Sequence, residues 1–103
     1  MVNIDQQLMD DVLSGAFEGG ITYWASAANF VSADEPRGSE YTDKYYTPKN
    51  CVWELITEDG KVTLTYNKLW DAIEEHKGLP EDWDADDYNT IVQMACFGEI
   101  VYG

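Results

Sequence analysis

The stretch CVWELITEDGKVTLT, from Cys51 to Thr65, predicts a β-hairpin. Its two arms, 51–57 and 61–65, are rich in β-branched and aromatic residues, and apolar positions alternate with polar ones. Asp59 and Gly60 lie between the arms, and this pair is typical of tight hairpin turns. We therefore expect two antiparallel strands, each with one inward face. The inward-facing residues are Cys51, Trp53, Leu55, Val62 and Leu64.

The segment before the hairpin predicts a helix followed by a strand. Apolar residues recur every three or four positions from Ile4 to Phe17, as on an amphipathic helix. Asn3 or Asp5 can cap its start. We expect Gly19-Gly20 to end the helix by adopting a left-handed conformation. Residues 21–31 then predict a strand, because their first half is β-branched and aromatic.

Two further helices are predicted after the hairpin. The first begins at Thr65 and continues to Lys77, since Gly78 and Pro80 follow at the offsets expected for a helix end. The second begins at Asp84, where a carboxylate can cap the free N–H groups, and Gly98 closes it.

The predicted elements make one α+β domain. Residues 99–102 predict a short last strand, and residues 32–49 form the longest candidate loop. A chain of 103 residues has room for a single core. We therefore expect one acidic domain over residues 1–103, with a small antiparallel sheet packed by about three helices.

Charge is the outstanding property of the composition. Twenty acidic residues and six basic ones give a net charge of −14. Such a surface is a poor ligand for nucleic acid and for anionic lipid, and a good ligand for a basic protein groove. No apolar run is long enough to span a bilayer, and the acidic start differs from a signal peptide, so we expect a cytoplasmic protein without a membrane partner. Homo-oligomerisation stays open.

Two acidic clusters are candidate binding surfaces. The denser one consists of Asp71, Glu74, Glu75, Glu81, Asp82, Asp84, Asp86 and Asp87. The second consists of Asp5, Asp10, Asp11 and Glu18. The alternative interpretation is that both are solvated faces of amphipathic helices.

The residue inventory argues against catalysis and against a cofactor. His76 is the only histidine, and Cys51 and Cys96 have no CxxC spacing, so no zinc ligand set can be assembled. We expect both cysteines to be buried, unbridged thiols in a reducing compartment. We predict a structural role for His76 near its helix end.

A calcium loop is the one metal motif that the acidic run approaches. Asp82, Asp84 and Asp86 match its first, third and fifth positions. Asp87, however, occupies the position that needs glycine, and Gln93 occupies the position that needs a bidentate glutamate. We therefore predict no metal site.

Both ends of the chain resemble a group of phage proteins. The segments are EGGITYWA (18–25), DADDYNTIVQ (84–93) and FGEIVYG (97–103). The chain resembles small uncharacterised proteins of bacteriophages, chiefly those of actinobacteria, which share a GG-x-x-YWA element and a C-terminal D-A-D-x-x-x-x-IVQ…FGE-[IV]-x-YG element. The resemblance implies a phage origin and expression inside a bacterial cell, and it implies no catalytic residues.

Three functions follow as hypotheses. The leading one is a phage accessory protein that inhibits a basic host protein, such as a nucleic-acid-binding or defence factor, through a DNA-mimicking acidic surface. The second is a sponge for a nucleotide-like ligand, with aromatic rings for the base and Arg37, Lys44 and Lys49 for the phosphate. The third is a virion structural or assembly protein that self-associates through an exposed aromatic patch.

Overall fold

The predicted α+β architecture is confirmed by a computed structural model, which describes residues 4–34 and 49–103. One antiparallel sheet with the strand order β1-β2-β3 packs against three α-helices. The strands are β1 (Ala25–Ser32), β2 (Val52–Thr57) and β3 (Gly60–Thr65). The helices are α1 (Gln6–Gly15), α2 (Tyr66–Glu75) and α3 (Ala85–Phe97).

The hairpin formed by β2 and β3 has the predicted inward face. Trp53 pairs with Leu64, and Leu55 pairs with Val62, so these side chains share one face of the sheet. Trp53, Leu55 and Leu64 are buried in the core together with residues from all three helices. The helices therefore pack against this face of the hairpin.

The N-terminal helix ends differently from the sequence-based expectation. A π-helical turn, Ala16–Gly20, follows α1, and β1 begins only at Ala25. Neither Gly19 nor Gly20 has the predicted left-handed conformation. Gly20 is instead required by close packing, because a Cβ atom there would lie 2.7 Å from the carbonyl oxygen of Ala85. The glycine lets this turn approach the start of α3.

The caps of the two later helices lie at the predicted residues. Thr65 accepts the N–H of Lys68 at the start of α2, and Asp84 forms a capping box with Asp87 at the start of α3. Gly98 closes α3 with a left-handed φ of 75°. Helix α2 ends at Glu75, two residues before the predicted Lys77.

The predicted last strand is absent, because residues 99–102 are not paired with the sheet. The side chain of Gln93 satisfies this backbone instead. Its Oε1 accepts the N–H of Val101 at 2.8 Å and of Tyr102 at 2.9 Å, and its Nε2 donates to the carbonyl of Tyr102 at 2.9 Å. The side chain of a buried glutamine thus makes the backbone hydrogen bonds that a neighbouring strand would otherwise supply. We call residues 99–103 the C-terminal strap.

Both cysteines are free thiols, as predicted. Cys51 is buried as predicted, whereas Cys96 is only partly buried, so the prediction of burial is wrong for Cys96. None of the helices in the described parts of the chain combines the length and the apolar character needed to cross a bilayer.

Candidate functional site

The acidic residues of α2 lie beside the C-terminal half of α3. Asp71, Glu74 and Glu75 are all exposed. Asp71 and Glu75 line a groove between the two helices that also contains Met94. The carboxylate of Glu74 accepts a hydrogen bond from Trp70 Nε1 at 3.0 Å. These three residues are the α2 carboxylates.

The remaining residues of the denser acidic cluster gather around the start of α3. They are Glu81, Asp82, Asp84, Asp86 and Asp87, which we call the α3-start carboxylates. The first two lie on a 3₁₀ turn, Pro80–Asp82, and Asp86 lies in the first turn of α3. The positive end of the helix dipole stabilises carboxylates at this position.

Two of the α3-start carboxylates form hydrogen bonds with the backbone at the start of α3. Oδ1 of Asp84 accepts the N–H groups of Asp86 at 3.1 Å and of Asp87 at 3.3 Å. Oδ2 of Asp87 accepts the N–H of Asp84 at 2.9 Å. These hydrogen bonds hold both carboxylates in place. A mutation at either residue would also disturb the start of α3, so neither is suited to a test of partner binding.

His76 connects the end of α2 to the start of α3. Its Nε2 lies 2.8 Å from Oδ1 of Asp87, and its ring meets the indole of Trp83 edge-on. The backbone N–H of Asp84 and the imidazole of His76 hold the pKa of Asp87 below its usual value. This contact fixes the antiparallel packing of α2 on α3, so the two groups of carboxylates lie along one helix pair.

Lysines lie beside the α2 carboxylates, and Lys77 also lies near the start of α3, where its carbonyl accepts the indole N–H of Trp83 at 3.3 Å. Lys68 lines the groove with Asp71 and Glu75, and Lys77 lines a neighbouring concavity that also contains Glu75. The α2 carboxylates therefore belong to a mixed surface. The α3-start carboxylates are the larger group, with five acidic residues against three on α2.

The second acidic cluster belongs largely to α1 itself. Asp5 caps the helix by accepting the N–H of Leu8 at 2.9 Å. Asp10 and Asp11 accept hydrogen bonds from the glutamine side chains one turn earlier. Glu18 is exposed. These contacts favour the interpretation of this cluster as a solvated helix face.

The residues that the structure describes contain no group of three or more potential ligands placed to hold a metal ion. In the acidic run that approaches a calcium loop, the carboxylate of Asp84 is directed at backbone N–H groups of α3. A helix cap therefore accounts for its geometry.

A surface that the sequence analysis did not identify lies on the C-terminal strap. Tyr23, Ile100 and Val101 are exposed, although all three are large apolar residues. Two open concavities of about 550 and 520 Å³ meet at Tyr23, and they are also lined by Glu58 and Asp86 respectively. We call these five residues the Tyr23 face.

The Tyr23 face is built on the motifs that mark both ends of the chain. Trp24 stacks on Tyr102 with ring centroids 5.1 Å apart, and Phe97 packs against both rings. Trp24 of the GG-x-x-YWA element thus packs on the C-terminal element. Tyr23 itself is exposed, since only its hydroxyl group reaches the interior polar network.

The second hypothesis, a nucleotide sponge, depends on residues that are mostly outside the described parts of the chain. Arg37 and Lys44 lie there, and Lys49 is exposed beside Asn50. The ring of Tyr102 stacks on the ring of Trp24, so that face of Trp24 is not open to a base. The described residues offer no observation that favours this hypothesis.

Comparison of the chain with models of protein families, with curated proteins and with solved structures found no match in any of the three.

Proposed function

We propose that this protein is a phage accessory protein that binds a basic host protein and blocks its nucleic-acid-binding groove. The surface that does so is centred on the α3-start carboxylates and extends to the α2 carboxylates. A groove that binds DNA presents lysine and arginine to closely spaced phosphates, and carboxylates on a rigid domain can occupy the same positions.

The observation that carries this proposal is the uncompensated charge. The chain has a net charge of −14, yet the ion pairs within residues 4–34 and 49–103 are Lys61–Glu54 and His76–Asp87 alone. In the described structure, the carboxylates of Asp71, Glu81 and Asp82 make no hydrogen bond or ion pair. Such groups remain available to a partner, and their mutual repulsion is relieved when basic residues approach.

The rigidity of the α3-start carboxylates also supports the proposal. The capping box and the His76 contact hold Asp84 and Asp87 in place before a partner arrives. Pre-organised charges lose little conformational entropy on binding. The resemblance of both ends of the chain to phage proteins makes a protein of the bacterial host the expected partner.

The test begins with capture of host proteins by the immobilised domain. We expect the captured protein to bind DNA, to be displaced by added double-stranded DNA, and to dissociate steeply as salt rises. A captured protein that stays bound in the presence of saturating DNA would contradict the mimicry.

The matched variants have equal charge changes on different surfaces. Asp71→Asn, Glu81→Gln and Asp82→Asn together neutralise three carboxylates of the proposed surface without removing a described hydrogen bond. Asp11→Asn, Glu18→Gln and Glu54→Gln neutralise three carboxylates elsewhere. We expect the first triple variant to weaken binding roughly tenfold or more and the control triple variant to change it much less. Equal losses would show that only net charge matters.

A further inference from the structure

We propose that the Tyr23 face docks an arginine-rich segment of the partner protein. The guanidinium group lies on the Tyr23 ring, and the carboxylates of Glu58 and Asp86 receive its N–H groups. This inference rests on the proposed function, because both require a basic partner. It adds a specific contact on a surface that adjoins the α3-start carboxylates through Asp86.

The apolar side chains of the Tyr23 face are exposed to solvent. Tyr23 is 56% exposed, Ile100 is 50% exposed and Val101 is 49% exposed, and all three lie around the strap. Neighbouring exposed apolar residues mark interaction surfaces more often than isolated ones do. Tyrosine is also among the residues that contribute most to binding at interfaces.

Hydrogen bonds hold the side chain of Tyr23 in place. Its hydroxyl group donates to the carbonyl of Tyr102 at 2.9 Å and accepts from Asn89 Nδ2 at 3.1 Å. The nearby amide of Gln93 lies at 3.5 Å. The ring is therefore exposed and immobilised at the same time, so a partner that covers it orders little additional structure.

The charged residues that line the two concavities beside the Tyr23 ring are acidic. The two concavities are lined by the acidic residues Glu58 and Asp86, and none of their described lining residues is a lysine, arginine or histidine. Asp59 adds a further carboxylate, which accepts the hydroxyl group of Tyr102 at 2.8 Å. A second copy of this chain would bring like charges together, which disfavours it as the occupant.

Arginine fits this combination better than lysine does. Its planar guanidinium group can stack on an aromatic ring and still donate in the ring plane to carboxylates on either side. Lysine offers a compact, strongly hydrated ammonium group instead. Ile100 and Val101 can shield the contact from water, as apolar neighbours do around binding hot spots.

The experiment titrates the intact protein with an arginine-rich peptide and with its lysine counterpart of equal length and charge. We expect the arginine peptide to bind about two- to fivefold more tightly. Amide chemical shifts should change most at Thr22, Val101 and Gly103. Equal affinity of the two peptides, or shift changes confined to other surfaces, would overturn the proposal.

Two variants locate the contact. The double variant Ile100→Ser/Val101→Ser removes exposed apolar surface and keeps the backbone N–H groups that bond to Gln93. It should weaken binding of the arginine peptide roughly fivefold or more. The control Val31→Ser alters a side chain that is equally exposed, at 57%, near the opposite end of β1, and should leave binding unchanged. Circular dichroism verifies that both variants are folded.

The outcomes separate this inference from the proposed function. If the triple variant of Asp71, Glu81 and Asp82 loses the host partner while the Ile100/Val101 double variant binds as well as the wild type, the inference is wrong and the proposed function stands. If instead the double variant loses the host partner and the triple variant binds as well as the wild type, the proposed DNA-mimicking surface is wrong and the Tyr23 face stands. If the wild type self-associates in sizing chromatography and the double variant does not, the occupant is a second copy and the arginine proposal is overturned.

Discussion

The side-chain amide of Gln93 forms hydrogen bonds with both backbone polar groups of Tyr102. Oε1 accepts the N–H of Tyr102 at 2.9 Å, and Nε2 donates to its carbonyl at 2.9 Å. Gln93 is fully buried on α3, and Tyr102 belongs to the C-terminal strap. This pair holds the strap on the domain and sets the position of the Tyr23 face.

Replacing Gln93 with leucine should destabilise the protein. The substitution leaves the N–H groups of Val101 and Tyr102 without their acceptor, and a loss of about 2–4 kcal/mol in the free energy of unfolding is expected. Urea unfolding measures this loss, and hydrogen exchange of the two amides should accelerate. Gln7→Leu, at an exposed glutamine of α1, is the control and should change stability by less than about 0.5 kcal/mol. Similar effects of the two substitutions would contradict the role assigned to Gln93.

Asp84→Ala should destabilise the protein more than Asp86→Ala. Asp84 accepts two backbone N–H groups at the start of α3, whereas the described contacts include none for the side chain of Asp86. The loss of the cap should lower the free energy of unfolding by about 1–2 kcal/mol. Loss of the dipole interaction alone, at Asp86, should lower it by about 0.5 kcal/mol. Thermal unfolding of both variants measures the difference, and equal losses would mean that the cap contributes nothing beyond charge.

The contribution of Asp87 to stability should depend on pH. Its pKa is lowered in the folded state, first by the N–H of Asp84 and then by His76. The ionised carboxylate therefore stabilises the fold above its unfolded pKa of about 3.9, and this stabilisation is lost as pH falls through the lower folded value. Wild type should be more stable than Asp87→Asn at neutral pH, and the difference should shrink in acid. Denaturant titrations at a series of pH values measure it, and a difference that is constant with pH would contradict the assignment.

Both thiols should react slowly in the native protein. Burial raises the pKa of Cys51 to about 11 and that of Cys96 to about 12. At about pH 8 the reactive thiolate is scarce, so labelling by a maleimide should be at least about a hundredfold slower than in denaturing urea. Mass spectrometry counts the labels, and the single variants Cys51→Ser and Cys96→Ser assign each one. Rapid labelling of either native thiol would mean that its burial is transient.

Local sequence signals predicted most of the elements of this fold, but they also predicted a last strand that the structure lacks. The Asp59-Gly60 pair and the alternation around Trp53 predicted the hairpin, and the caps Thr65 and Asp84 predicted two helix starts. These signals succeeded because turn geometry and capping depend on residues a few positions apart. The acidic residues of α2 and of the α3 start were likewise visible as a run, and whether they bind a partner remains a proposal.

Tertiary structure alone decided how distant residues meet. Gln93 bonds to the strap in place of a last strand, and Gly20 allows the close approach of the Ala85 backbone. Glu58 and Asp86 line two separate concavities that share Tyr23. Tyr23 shows the limit most clearly, because nothing in its motif indicated that its ring would remain exposed. The composition alone determined the net charge of −14, whereas the surfaces on which the acidic residues lie depend on how the helices pack. Contacts across tens of residues arise from burial in three dimensions, which no local pattern encodes.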